Sequence, residues 1–332
     1  MLATGFLLLW AGKLWGAKGS WLVTLVCIGL FYNLVTKRLP LITYDTPTVP
    51  IGQKRIVQLQ SVEQADVKLY KYRNAYWYAM SLFIVPYEAL VLYMDAVLDP
   101  DCKNGFVLTA QERQHSVIHS AYNDSMKAQV AAHGPAATRL VTAAATLFQQ
   151  STRLLKRFAP DVVHTLVTIT ENKFYYDRTT DELFQALDDS NGMPVLNKIF
   201  LWHHYEELEH HMESVHLYRE YYGPTARYVV PLVLPLFLLL QYTVHFVACI
   251  LSVVCCFKDA DRSLFVHVPF SLAHFAFDLM FIDVSSIIAA ALLALGLSAK
   301  DGKVAEDLAY FRKRFHEKYG QQLANADEPL IV

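Results

Sequence analysis

The stretch that most constrains this chain is Trp202–Tyr222, WHHYEELEHHMESVHLYREYY. It has no strand alternation and reads as one helix. It sets His203, Glu206, Glu207, Glu209, His210 and His211 within nine residues. A solvated helix face often holds that many glutamates but seldom that many histidines. Imidazole and carboxylate side chains together suit a metal site, so the rest of the chain must supply the other half.

A second helix carries the same short pattern. Glu112-Arg-Gln-His115 and Glu207-Leu-Glu-His210 are both E-x-x-H, and residues three apart share a helix face. Dimetal carboxylate bundles of the ferritin-like type use two such helices plus one glutamate from each of two others. The required order is E, E-x-x-H, E, E-x-x-H. Glu88, in the apolar run IVPYEALVL, and Glu171, in TITENKFYY, fill the remaining places. Plain explanations exist for each alone. Thr109-Ala-Gln-Glu112 matches a capping box, and Glu88 and Glu171 can be solvated. All four arrive together on four helices in the required order, which weakens those readings. Hard carboxylates with imidazoles suit iron first, with manganese or zinc as alternatives, and the lack of cysteine ligands argues against structural zinc.

Around this centre the chain reads as all-α. Helices are expected over about 67–98, from Thr109 to about Gly134, over 137–157, over 160–189 and from Pro194 to Tyr222. Hydrophobic residues make up 54% and charged ones 18%, and mean hydropathy is +0.24. A water-soluble domain has about a quarter charged residues, so the balance leans towards membrane attachment. The expected organisation is a membrane anchor over 1–38, a linker over 39–66 and a ferritin-like metal-binding domain over 67–223. A membrane hairpin over 224–298 and a polar tail over 299–332 follow. Segment 229–257 is long enough to span. Segment 263–297 holds His267, His274, Asp278 and Asp283, and reads either as a span or as an interfacial piece with a re-entrant helix. A cleaved signal peptide competes for the N-terminus, but no small-x-small site follows Val35. Lys37, Arg38, Lys54, Arg55, Lys68, Lys71 and Arg73, with Arg312, Lys313, Arg314 and Lys318 in the tail, put the helical domain and tail on the cytosolic side. Net charge is −2, without the basic face that nucleic acid requires. The five cysteines form no disulfide or zinc pattern.

Taken together, these residues resemble a family of bacterial and eukaryotic proteins known as predicted metal-dependent hydrolases, with a ferritin-like arrangement. Its signatures are a G-E near the first helix, E-x-x-H-x-x-x-H, an isolated glutamate and W-H-x-x-E-E-x-E-H. QERQHSVIH matches the second through Glu112, His115 and His119, and WHHYEELEH matches the last through His203, Glu206, Glu207, Glu209 and His210. Glu88 follows Tyr87 rather than glycine, and Glu171 fits loosely. The resemblance covers about 75–222. It implies a two-metal site held by Glu88, Glu112, His115, His119, Glu171, His203, Glu207 and His210.

Such a site serves either O2-dependent oxidation or metal-assisted hydrolysis of an ester or amide. Four carboxylates with two or more histidines favour a diiron oxidase or oxygenase. The expected substrate is a small apolar, lipid-like molecule reaching the site from membrane lipid, with a separate electron donor. Membrane desaturases are a rival, since His115-x-x-x-His119 and the paired histidines resemble their histidine boxes. Those boxes use few carboxylates, whereas glutamates occupy the repeated slots here. A non-catalytic membrane subunit is the third reading.

Overall fold

A computed structural model describes residues 57–58, 67–98, 106–174, 195–257, 264–296 and 330–331, with the single positions 309 and 313. The expected anchor over 1–38, most of the linker and most of the tail lie outside the described residues, as do Tyr175 and Tyr176. Seven α-helices account for nearly everything described. They are α1 (Tyr72–Leu98), α2 (Phe106–Ala132), α3 (Pro135–Phe158), α4 (Pro160–Phe174), α5 (Val195–Tyr222), α6 (Ala226–Cys256) and α7 (Leu264–Leu295). A two-residue parallel pairing of Val57–Gln58 (β1) with Leu330–Ile331 (β2) is the one β element among them.

Local chemistry sets the boundaries. Gly134, with φ of 95°, ends α2 in a conformation that side chains resist. Pro135 then opens α3 at a position where its missing N–H costs nothing. Pro160 opens α4 in the same way. In α3, Ala137, Ala144, Phe148 and Thr152 are buried. Their spacings of seven, four and four define one stripe of a two-sided helix. α7 is a single helix through Pro269.

Cross-helix contacts give the directions. Tyr78 meets Tyr122, Ser81 meets His119, and Gln129 donates to the Val67 carbonyl, so α1 and α2 are antiparallel. Tyr87 bonds Glu171 and Tyr93 stacks on His164, so α4 also opposes α1. α5 opposes α2 through His119–His203 and His115–Glu206. It opposes α4 through Thr165–Tyr218 and His164–Tyr222. Helices α2 and α4 therefore run the same way, and the chain must return between them. α3 makes that return alongside α1, with Phe148 against Phe83 and Lys156 over Tyr93. This is an antiparallel four-helix bundle with one long crossover, the connection of ferritin-like folds.

α6 and α7 make the most extensive helix pair, and α6 lies along α1. Two continuous helical segments, Tyr72–Leu98 and Glu213–Cys256, are long and apolar enough to cross a membrane. They differ in kind. α1 buries Ser81, Glu88 and Asp95 and packs on α2, α3, α4, α5 and α6, which makes it the bundle's core helix. α6 leaves Leu232, Leu239 and Phe246 more than half exposed, as α7 does Phe265, Val266 and Phe270.

Candidate metal centre

Each of the four bundle helices aims one or more acids or imidazoles inwards. Glu88, Glu112, His115, Glu171, His203, Glu207 and His210 are all at most 2% exposed. They form two groups whose ligand atoms lie within 4.8 Å of one another: Glu88, His115, His203 and Glu207, and then Glu112, Glu171, Glu207 and His210. Glu207 belongs to both. Its Oε1 is 2.8 Å from His203 Nε2 and 3.5 Å from His115 Nδ1, while its Oε2 is 3.3 Å from His210 Nε2. Glu112 straddles the groups in the same sense, with Oε2 3.6 Å from His115 Nδ1 and Oε1 2.9 Å from His210 Nε2. Glu88 lies at the first group, 3.8 Å from His115 Nδ1, and Glu171 at the second, 3.7 Å from His210 Nε2. Helix α2 begins at Phe106, three residues before Thr109. Glu112 therefore points into the bundle instead of capping its helix.

Does this donor set fit two metal ions? Buried polar atoms are nearly always hydrogen-bonded. Here both oxygens of Glu88, both of Glu112, His115 Nδ1, Glu171 Oε2, Glu207 Oε2 and His210 Nε2 complete no hydrogen bond. All converge on one place. Two divalent cations would satisfy these atoms and balance four carboxylates, so the residues fit the ions.

The surrounding hydrogen bonds fix how the ligands point. His115 Nε2–H donates to Glu206 Oε2 at 3.1 Å, leaving Nδ1 towards the centre. His210 Nδ1–H donates to Gln111 Oε1 at 2.8 Å, leaving Nε2 inwards. The Tyr87 hydroxyl donates to Glu171 Oε1 at 2.6 Å. Such outer partners orient metal ligands and set their basicity. Tyr87, the residue before Glu88, thus steadies the Glu171 carboxylate from α4. Of the eight residues expected to bind metal, seven lie in the two groups and His119 lies outside both. His119 Nδ1 is 2.9 Å from Ser81 Oγ and its Nε2 is 2.9 Å from His203 Nδ1, so it stands behind His203. Ser81 donates in turn to Asn123. His204 turns back to the Phe200 carbonyl on its own helix. His164 bonds Tyr222 rather than Glu171.

Electrostatics show what the metal-free pocket does with its charge. Burial opposes ionisation of Glu207, but the charge of His210 and the close approach of the His203 and His210 rings win, and hold it well below the usual carboxylate range. Burial likewise opposes Glu112, yet the adjoining Glu88 carboxyl and the charge of His210 keep it low. Glu171 is pushed well up by burial and then by the charges of Glu207 and Glu112. Burial alone would depress His115, but Glu112 and Glu206 raise it to about 9. His210 is likewise raised against burial by Glu207 and Glu112. Burial and the His115 charge depress His203 to about 4. Protons thus occupy the charge-balancing role of the cations.

A family model described as predicted metal-dependent hydrolase matches residues 88–318, more than two thirds of the 332-residue chain. The chain belongs to this family. The match begins at Glu88, within α1, and runs through α2 to α7, so it includes all seven residues of the two groups and the α6–α7 hairpin. No curated protein and no solved structure matches the chain.

Metal dependence in the family and the buried ligand groups together support a two-ion site, and they set a prediction for its outer partners. His119→Ala should weaken metal binding at the His203 group about 10- to 100-fold, the usual effect of losing such a partner. His204→Ala should leave metal content unchanged. Competitive chelator titration of both purified variants checks this, and equal behaviour would overturn the assignment of His119.

Proposed function

We propose that this protein is a membrane-bound dimetal enzyme, loaded with iron, that uses dioxygen to oxidise an apolar, lipid-like substrate. The observation that carries the reading is the donor set: four buried glutamates and three buried histidines on four helices, with Glu207 shared between the groups. Carboxylates and imidazoles without thiolate are the ligands of non-haem iron and manganese sites. Glu88, Glu112, His115, Glu171, His203, Glu207 and His210 would hold the ions, which supply binding and reduction of dioxygen. The chain's own part is to orient these ligands through Gln111, Glu206, His119 and Tyr87, and to exclude water.

A second observation agrees. A cavity of about 30 Å³ adjoins His203, lined mainly by Tyr76, Trp77, Met80, Phe83, Ile84 and Phe200, with Thr170, Lys173 and Gln241 on its α4–α6 side. That volume suits a molecule of one or two heavy atoms, and its walls favour an apolar one. A separate groove of about 820 Å³ between α1, α2 and α3 is lined by none of these residues. Membrane attachment rests on the hydropathy of α6 and the exposed apolar faces of α6 and α7. The cytosolic placement of the bundle and tail rests on the lysine and arginine bias.

Hydrolysis is the second reading, favoured by the family description. There the ions would lower the pKa of bound water for attack on a lipid ester or amide. Elemental analysis followed by two assays of detergent-purified protein decides between them. About two irons per chain, with dioxygen consumed after anaerobic reduction, is the expected result. Zinc or manganese at that stoichiometry, with ester cleavage and no dioxygen uptake, would establish hydrolysis instead. Absence of stoichiometric metal after anaerobic iron loading would leave a non-catalytic membrane subunit.

A further inference from the structure

A second polar cluster, unused by the metal centre, lies where α1 meets α6 and α7. His245 is 1% exposed although it sits in the apolar α6. Its Nδ1 is 3.0 Å from the Tyr72 hydroxyl and 3.6 Å from Asp278 Oδ2. Tyr76 stacks on the His245 ring with centroids 4.5 Å apart. On the outer side, Tyr72 stacks on His274 at 5.9 Å and Phe270 meets His274 edge-on at 4.3 Å. Asp278 keeps 24% of its side chain exposed, beside an α7 face on which Phe265 and Phe270 are largely exposed.

Ionisable groups within an apolar helix hairpin are expensive and mark either function or interhelical glue. Glue requires only the Tyr72–His245–Asp278 contacts. It does not require a continuation, and this cluster has one. Tyr76 is 5.1 Å from Trp77, Trp77 is 4.5 Å from Phe200, and Phe200 is 6.4 Å from His203, centroid to centroid. Tyr76, Trp77, Phe200 and His203 line the same small cavity. Aromatic rings, Tyr76 and Trp77 oxidisable among them, therefore run from the hairpin to His203 of the first group. At the outer end, an acid–imidazole pair framed by aromatic rings suits a flat molecule that loses protons as it is oxidised.

The geometry points to Tyr72, His245 and Asp278 as the docking site of a membrane-soluble hydroquinone that supplies electrons to the metal centre. This rests on the oxidation reading above. Oxidation of the hydroquinone to quinone breaks two O–H bonds and releases two electrons and two protons. The protons pass to the His245–Asp278 pair and leave at the exposed edge of Asp278. The electrons pass singly along Tyr76 and Trp77 towards His203. One substrate C–H, one dioxygen, these two electrons and two protons taken up from water to replace those released give one hydroxylated substrate and one water, so the balance closes.

The test uses the full chain in detergent and two readouts. The first is equilibrium binding of a short-tailed benzoquinone to metal-free protein. His245→Phe and Asp278→Asn should each weaken it about tenfold or more, as expected for a lost hydrogen bond to a charged or polar partner, with metal content after reloading unchanged. The second is anaerobic reduction of iron-loaded protein by the matching hydroquinone. Trp77→Phe should bind the quinone like the wild type and be reduced several-fold more slowly. Wild-type protein that binds no quinone, or binding that both hairpin variants leave intact, overturns the proposal. If dithionite-reduced protein consumes dioxygen while hydroquinone neither binds nor reduces it, this inference alone fails. If dithionite-reduced protein consumes no dioxygen, the oxidation reading fails first.

Discussion

Glu207→Ala should take the purified protein from about two metal ions per chain to almost none, because Glu207 is the one residue common to both ligand groups. Its Oε1 serves the His203 and His115 side and its Oε2 the His210 side. Alanine removes both oxygens. It also leaves His203 and His210 without the carboxylate that each faces on its own helix. Glu88 and Glu171 each enter one group, so Glu88→Ala and Glu171→Ala should cost about one ion each. Elemental analysis of the three variants beside the wild type gives the comparison. Full metal in Glu207→Ala would mean that the helix faces are wrongly assigned. Equal losses in all three would mean that the groups do not load separately.

This contrast shows how much of the site could be read from the chain. Spacing within a helix is written in the sequence, so the two E-x-x-H pairs and their order with Glu88 and Glu171 were legible. Register between helices is not. Gln111 is adjacent to Glu112 and appears unremarkable until α2 and α5 pack and bring His210 Nδ1 to its side-chain oxygen. Tyr87 reads as a departure from the family glycine until α4 brings Glu171 within 2.6 Å of its hydroxyl. His119 lies one turn from His115 and shares its face, but Ser81 on α1 draws its ring away and leaves it behind His203. A helix wheel cannot supply that difference, since it depends on a small residue across the interface. The crossover was hidden for a related reason. The amphipathic stripe of α3 predicts a packed helix, but the parallel course of α2 and α4 emerges only from their partners. Signals for the His245 cluster were present as histidines and aspartate in apolar segments. Only the packing of α6 on α1 joins them to Tyr72 and Tyr76.

Metal uptake should depend steeply on pH, in the sense that raising pH favours loading. In the metal-free protein His115, raised to about 9, carries a proton at neutral pH, and His210 is raised in the same direction. A metal ion needs the lone pair that each proton occupies. Glu171 and Glu88 are pushed up as well, by burial first. His203 supplies none, since it is already neutral at that pH. With at least the His115 proton displaced, apparent affinity should rise about tenfold or more per pH unit through the neutral range. Chelator competition at several pH values measures the slope, and a slope near zero would mean that the pocket does not hold these protons. The same shifts set the stability of the metal-free fold. Glu112 and Glu207 lie below their ordinary value of 4.5, so their contribution is present above that pH and is lost as acid protonates them. His115 lies above its ordinary 6.5, so its contribution is complete below that pH and is lost as pH rises through about 9. Alkali therefore weakens the empty bundle over the range in which it strengthens metal binding. The gain in melting temperature on loading should widen as pH rises from 6 towards 9. A protein whose buried carboxylates and imidazoles served only to hold four helices together would show the loss without the gain.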